Sequence, residues 1–311
     1  MPSPAALALR RFSRHPPAIL GLIILLALAI ACFASIPWTK SAYADQHQLQ
    51  HVKEPPSRQF PLGTDSLGRD LTARFLLGGA ISLSIGIASA LIAILIGASV
   101  GLLAGYAGGR TDAFLMRVVD VMYGLPYILL VILMRVSFVG PLEYLLKHPD
   151  PVTGNARWLR PIAASNWANI LILLIGIGAV SWLTMARVIR GQVLSLRDQP
   201  FVEAARALGL PPRRILLRHI LPNLLGTIIV YGTLTVPNAI LSESFLSFLG
   251  LGIQDPLPSW GNLAAQGIDA MNPVHTRWWL ITWPCLGLSL ALLSLNFLGD
   301  ALRDTLAPSR S

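Results

Sequence analysis

The apolar residues of this chain fall into six long runs, separated by segments that carry charges, prolines or glycines. Each run is about twenty residues long, which is the length an α-helix needs to cross roughly 30 Å of hydrocarbon. The pattern therefore predicts an all-α membrane protein with six transmembrane helices. The predicted spans are residues 18–36, 80–103, 118–140, 170–189, 224–249 and 278–298.

Composition and charge support this interpretation. Hydrophobic residues make up 54% of the 311 residues and charged residues only 13%, about half the charged fraction typical of a soluble domain. With the N-terminus inside, fourteen of the 24 Lys and Arg residues lie on the inner side, against six of the 15 acids. This excess follows the positive-inside rule and predicts that both termini are cytoplasmic. The net charge of +9 then reflects topology and contact with anionic membrane lipid, not nucleic-acid binding.

No cofactor or metal site is predicted. Cys32 and Cys285 both fall in predicted spans, which leaves no disulfide framework, and lipoprotein processing at Cys32 is disfavoured because it lies inside a long apolar run. The six histidines form no compact metal-ligand spacing, which argues against a membrane enzyme. None of the three lysines follows a glycine as in a phosphate-binding loop, so we expect ATP to be hydrolysed by another chain.

Two local patterns bear on helix geometry. Gly97, Gly101 and Gly105 form a stripe at i, i+4 and i+8 that lets another helix backbone approach closely. Pro126 is predicted to kink the third span.

The segment between the fourth and fifth spans, on the basic side, reads as a short helix. Asp198 and Pro200 suit its start, and Gly209 suits a left-handed stop before Pro211. Its alanines leave the backbone open to a cleft on another protein. Residues 213–221, which mix arginines with apolar residues, are expected to form a helix at the headgroup level, and Pro222 to start the fifth span.

Several other charged residues allow two interpretations. Asp65, Arg69 and Asp70 are expected to form a small charge cluster that folds the outer segment, with docking of a partner as the alternative. Glu243 lies within a span and is a candidate pathway residue, or else it hydrogen-bonds neighbouring helix ends and holds the bundle together. Arg135 has the same ambiguity, with snorkelling to the headgroups favoured.

The inner segment resembles the EAA loop of bacterial binding-protein-dependent importer permeases. Glu203-Ala204-Ala205, then Gly209 and a closing Pro222, match the pattern of that family. One position departs, because the slot for the family's Ile holds His219 and Ile220 follows. The resemblance implies that an ATPase subunit contacts this loop through the coupling residues Glu203, Ala204, Ala205, Gly209, Leu210 and Pro222.

Three further segments, 62–70, 243–252 and 296–304, are similar to the C-type permease subunit of the dipeptide, oligopeptide and nickel branch. This implies a type I ABC importer permease bundle in the bacterial inner membrane. The implied partners are a second homologous permease subunit, two ATPase subunits and an extracytoplasmic solute-binding protein. Peptides are the expected substrate, with nickel or another small solute as alternatives, and an ion-gradient-driven secondary transporter is the rival class.

The resulting organisation combines the spans with the resemblance. It comprises a cytoplasmic tail at 1–17, the first transmembrane helix at 18–36, a periplasmic segment at 37–79, a five-helix permease core at 80–301 with a cytoplasmic coupling loop at 190–223, and a cytoplasmic tail at 302–311.

Overall fold

The computed structural model describes residues 15–45, 51–134, 136–137, 167–271 and 276–306, and the described elements are helical. The helices are α1 (Pro16–Ala34), α2 (Ile36–Ala42), α3 (Leu71–Ala107), α4 (Gly109–Tyr123), α5 (Tyr127–Met134), α6 (Trp167–Arg197), α7 (Pro200–Ala207), α8 (Pro212–Ile215), α9 (Leu221–Phe248), α10 (Trp260–Asp269) and α11 (Trp279–Leu306). A π-helical segment, Leu216–Ile220, joins α8 to α9.

Five of the described helical stretches are long and apolar enough to cross a membrane. They correspond to the first, second, fourth, fifth and sixth predicted spans. The third predicted span falls on α4, α5 and residues 135–140, of which only 136 and 137 are described. The helix is interrupted between Tyr123 and Tyr127, next to Pro126, where the sequence predicted a kink. Arg135 and most of the predicted outer loop at 141–169 lie outside the described residues.

The second span begins earlier than predicted. Its helix α3 starts at Leu71, where the Asp70 carboxylate accepts a hydrogen bond from the Thr72 backbone N–H at 2.7 Å and caps the first turn. Because α3 has 37 residues, it is about 55 Å long and extends beyond the hydrocarbon core.

The predicted glycine stripe packs α3 against α6. A Cβ added at Gly97 would lie 2.6 Å from the Trp182 carbonyl oxygen, and one at Gly105 would lie 2.7 Å from Val193 Cβ. The two helices therefore run in the same direction at close approach, and the prediction of a packing stripe is confirmed.

The fifth span also begins earlier than predicted. Residues 213–221 do not form a separate surface helix, because α8, the π-helical segment and α9 make one helical run from Pro212 to Phe248. Pro222 lies inside this run, two residues after the end of the π-helical segment. A proline lacks the backbone donor that a regular α-helix needs, and a local π turn is one way a helix accommodates that loss.

Contacts between helices show which helix ends meet. Gly86 of α3 lies against Ile240 of α9, and Gly232 of α9 lies against Ile94, so α9 runs antiparallel to α3. Gly21, near the start of α1, lies against Ser294 in the later half of α11. The start of α1, the end of α11, the ends of α3 and α6 and the start of α9 thus share one end of the bundle, called here the coupling end.

Candidate functional site

The helix α7 is bounded by its backbone chemistry. Its N-cap is Gln199, with extended backbone and no side-chain cap, followed by Pro200 at the first helical position. Asp198 is therefore not the cap that the sequence suggested, and it pairs with Arg197 at 3.4 Å instead. Pro200 suits the position because the first N–H groups of a helix have no intrahelical partner.

The predicted stop at Gly209 is confirmed. Gly209 adopts φ +73°, and the N–H groups of Gly209 and Leu210 bond to the carbonyls of Arg206 and Ala205 at 2.9 and 3.2 Å. These two bonds form a Schellman motif, with Leu210 packing into the same apolar cluster as Ala205. The motif ends α7 and turns the chain sharply toward α8.

One face of α7 is seated on the bundle. Val202 and Ala205 are buried in an apolar cluster with Val193 of α6, Ile215 of α8 and Ile220. Partly buried Tyr106, at the end of α3, packs on the same cluster. The short helix is thus held by the coupling-end portions of α3, α6 and the α8–α9 run.

A neighbouring face of α7 is exposed on this chain. Leu208 is 81% exposed and Phe201 is 41% exposed, and Ala204 lies between them in sequence. The exposed Glu203 side chain makes no hydrogen bond or ion pair with a described residue, while Arg206 lies over the Tyr106 ring at 5.5 Å. We call Phe201, Ala204 and Leu208 the α7 apolar strip.

The structure distributes the predicted coupling residues over two faces. Glu203, Ala204 and Gly209 are exposed, Ala205 is buried and Leu210 is partly buried. Pro222 lies more than two turns further on, exposed on α9. The sequence analysis missed Phe201 and Leu208, although their spacing of seven residues places them on one helix face.

A buried ion cluster lies at the opposite end of α3. Asp65 pairs with Arg69 at 2.6 Å and with the fully buried Arg74. Asp255, from the loop between α9 and α10, pairs with Arg74 at 2.9 Å and with Arg69 at 3.2 Å. The Asp65–Arg69 pair was predicted, whereas Asp70 caps α3 instead, and Arg74 and Asp255 were missed because Asp255 is distant in sequence.

The cluster stabilises the ionised form of Asp65. Burial by itself would raise the pKa of this carboxyl, but the nearby Arg74 and the backbone N–H and charge of Arg69 hold the pKa below its usual value. The segment before α3 is therefore tied to the start of α3 and to the α9–α10 loop by charge.

Glu243 lies in the packed interior of the described bundle. Its carboxylate accepts hydrogen bonds from Ser82 of α3 at 2.8 Å, Ser247 at 2.7 Å and Ser244 at 3.2 Å. The residue is fully buried. This geometry favours the interpretation that Glu243 joins neighbouring helices, and its alternative role in the pathway stays a prediction.

The comparisons with known proteins identify the family. A family model described as the binding-protein-dependent transport system inner membrane component matches residues 93–311. The chain belongs to this family. A second model, the N-terminal TM domain of oligopeptide transport permease C, matches residues 3–56 of the permease. The permease is therefore a multi-pass inner-membrane transport protein, and this membership favours the importer class over the ion-driven secondary transporter.

Curated relatives match over almost the whole permease. The oligopeptide transport system permease protein OppC of Haemophilus influenzae is 41% identical, with 97% of this chain and 87% of the relative covered. The dipeptide transport system permease protein DppC of Bacillus subtilis is 39% identical, with 97% and 84% covered.

A solved structure shares the fold. The MetNI methionine ABC transporter, in inward facing conformations, matches with a TM-score of 0.51 and 19% identity, covering 75% of this chain and 96% of that chain. At this identity the match concerns the fold alone, and it confirms the predicted type I ABC importer permease bundle.

Proposed function

We propose that this permease forms half of the translocation pathway of an ATP-driven importer for short peptides. The proposal rests on family membership together with relatives named as oligopeptide and dipeptide permeases. Its partners would be a second permease subunit, two ATPase subunits and an extracytoplasmic solute-binding protein. Nickel is the less favoured substrate, since the two relatives described above are both named for peptides.

The observation that carries the coupling role is the two-faced geometry of α7. Its inner face is seated in the bundle through Val202 and Ala205, while the α7 apolar strip is uncovered on this chain. Large apolar side chains that are exposed outside the membrane-spanning helices mark a contact with another protein. The partner proposed for this strip is the ATPase subunit. Glu203 and Arg206, beside the strip, would align the two proteins through polar contacts.

The connection from α7 to the membrane gives this contact a mechanical consequence. Only Leu208–Pro211 separate α7 from the helical run that continues into α9. Closure of an ATPase dimer would displace α7 and, through the shared apolar cluster, the coupling-end portions of α3, α6 and α9. The helices would then have two arrangements, one with the pathway open to the inside and one with it open to the outside.

Substitution of Gly209 tests the coupling role. Gly209→Val forces a β-branched residue into φ +73°, which disrupts the Schellman stop and reorients the α7 apolar strip. Gly250→Val is a matched control, since Gly250 has φ +74°, and at both positions nothing lies within 4 Å of an added Cβ. We expect Gly209→Val to lose copurified ATPase and ATP-dependent uptake of a radiolabelled tripeptide, while Gly250→Val keeps both.

Unchanged uptake by Gly209→Val would contradict the coupling role, and equal losses in both variants would indicate a general effect of strain. Uptake of radioactive nickel but no tripeptide by the wild-type complex would contradict the substrate assignment. Uptake driven by an ion gradient without ATPase subunits would contradict the importer proposal itself.

A further inference from the structure

Two asparagines inside the predicted membrane spans are exposed on this chain. Asn238 lies on α9 and Asn296 on α11, both inside stretches apolar enough to cross a membrane. Asn238 is close to the middle of its predicted span at 224–249. Polar side chains at such depth are rarely turned toward lipid, because hydrocarbon offers no hydrogen-bond partner.

Both asparagines lie beside one contact between α9 and α11. A Cβ added at Gly299 of α11 would lie 2.6 Å from Leu234 Cδ2 of α9, so the two helices touch closely there. Asn238 is one turn beyond Leu234, and Asn296 is one turn before Gly299. Because α9 and α11 are antiparallel, both steps lead in the same direction, away from the coupling end, and bring the two amides to a similar depth.

The hydrogen-bonding capacity of these amides is largely unused within the described part of the chain. The Asn238 Nδ2 donates to the Leu234 carbonyl at 3.1 Å, while its Oδ1 accepts from no described residue. The Asn296 carboxamide makes no hydrogen bond with a described residue. Each carboxamide has two donor hydrogens and an acceptor oxygen, so together they present free donors and acceptors without charge.

The helix backbone at this level also lacks one of its regular donors. Pro237, inside α9, has no N–H, so the Thr233 carbonyl loses its regular i+4 donor. A carbonyl freed in this way at membrane depth is tolerated where other protein groups or water can satisfy it.

The surroundings of Asn238 favour a water-accessible path over a permanent helix contact. Close contacts between helices in this chain use glycines, as at Gly86, Gly97 and Gly232. The residues exposed on the same side of α9 as Asn238 are instead the large Leu241 and Phe245. A few neutral polar groups among large apolar side chains is the usual lining of a site for a small organic ligand.

We infer that Asn238 and Asn296 line the translocation pathway and hydrogen-bond the peptide groups of the substrate as it passes. This inference rests on the proposed function, and it places the pathway along α9 and α11. Neutral amides match the N–H and C=O groups that all peptides share, so the contact would be independent of substrate side chains. The pathway would then run beside α9, the helix that continues directly from the coupling loop.

Thiol labelling of the assembled transporter in membrane vesicles tests the water-facing position. In a Cys285→Ser background, which leaves only the buried Cys32, single Asn238→Cys and Asn296→Cys variants are treated with a membrane-impermeant cationic thiosulfonate. Ile229→Cys is the control, since Ile229 is 49% exposed but lies nine residues away, on the opposite face of α9. We expect both asparagine positions to react at least about tenfold faster than the control, and trialanine to slow them.

Uptake kinetics test the hydrogen bonds. Asn238→Leu and Asn296→Leu should each raise KM for trialanine about five- to tenfold, with copurified ATPase unchanged and with Ile229→Leu near wild type. Asn238→Gln, which keeps the amide, should recover most of the loss.

Slow labelling equal to that of Ile229→Cys, or copper-catalysed air oxidation that joins Asn238→Cys to a cysteine introduced on the second permease, would overturn the inference and assign the face to lipid or to a subunit interface. Unchanged KM in both leucine variants would overturn it as well. These failures are distinct from failure of the proposed function, which would appear as absent tripeptide uptake in the wild type.

Discussion

At the residue scale, the buried ion cluster shows how charge is accommodated near the start of α3. Arg74 is fully buried and its guanidinium is balanced by Asp65 and Asp255. The two aspartates are not equivalent, because the Asp65 side chain is 4% exposed and that of Asp255 is 49% exposed. A buried charge that loses its partner is costly, whereas a solvent-exposed pair contributes little.

Asp65→Asn is therefore expected to destabilise the permease by about 3–5 kcal/mol, since Arg74 keeps only the half-exposed Asp255 as counter-ion. Thermal unfolding in detergent, followed by tryptophan fluorescence, measures the change. Asp255→Asn is the control and should lower the unfolding temperature less. Equal effects of the two variants would show that burial of the pair does not set its contribution.

The same cluster predicts an acid sensitivity. The pKa of Asp65 is lower in the folded chain than in the unfolded one, so its contribution to stability is fully present above the unfolded carboxyl pKa of about 4. That contribution is lost as pH falls through the lowered folded value. The wild-type unfolding temperature should fall more steeply in this acid range than that of Asp65→Asn, and parallel profiles would contradict the assignment.

At the scale of elements, α7 illustrates what local chemistry can predict. Proline at the start and a left-handed glycine at the end are local signals, so the helix and its stop follow from a few adjacent residues. Adjacent residues do not determine which side chains of α7 face the bundle. Val202 and Ala205 are buried because α6 and α8 approach from one side, and Phe201 and Leu208, on the neighbouring face, stay exposed.

The packing of α3 against α6 depends on the small size of the glycines between the two helices. Gly101→Val would place a Cβ 2.6 Å from the Ala186 carbonyl oxygen, which forces the two helices apart. We expect the free energy of unfolding to fall by about 1–3 kcal/mol or more. The yield of monodisperse protein on size-exclusion chromatography should be poor. Gly191→Val on α6, where nothing lies within 4 Å of an added Cβ, should behave like wild type.

At the scale of the whole molecule, α3 connects two regions with different chemistry. Arg74 near its start and Tyr106 near its end are about 48 Å apart along the helix axis. The ion cluster at one end ties the outer segment to the bundle, and the apolar cluster at the other end seats α7. One continuous helix therefore joins the seat of α7 to the ion cluster.

Variants of Glu243 test how the core of the molecule is held together, because the Glu243 carboxylate joins serines of α3 and α9. Glu243→Gln keeps an acceptor and should stay within about 1 kcal/mol of wild type, with unchanged KM for tripeptide uptake. Glu243→Leu leaves buried serine hydroxyls without their acceptor and should cost about 1–3 kcal/mol for each. An altered KM in Glu243→Gln at unchanged stability would favour the pathway role instead.

The order of residues was enough to predict the membrane class, the approximate positions of five spans, the packing stripe at Gly97, Gly101 and Gly105, and the end of α7 at Gly209. These features depend on helix-length apolar runs and on the conformations of single residues, which are local properties. The packing of the helices was needed to establish that Arg74 meets Asp255, that Glu243 is enclosed by serines, and that Asn238 and Asn296 are exposed on this chain. Burial and ion pairing of this kind join residues far apart in the chain, so they depend on which helix faces meet.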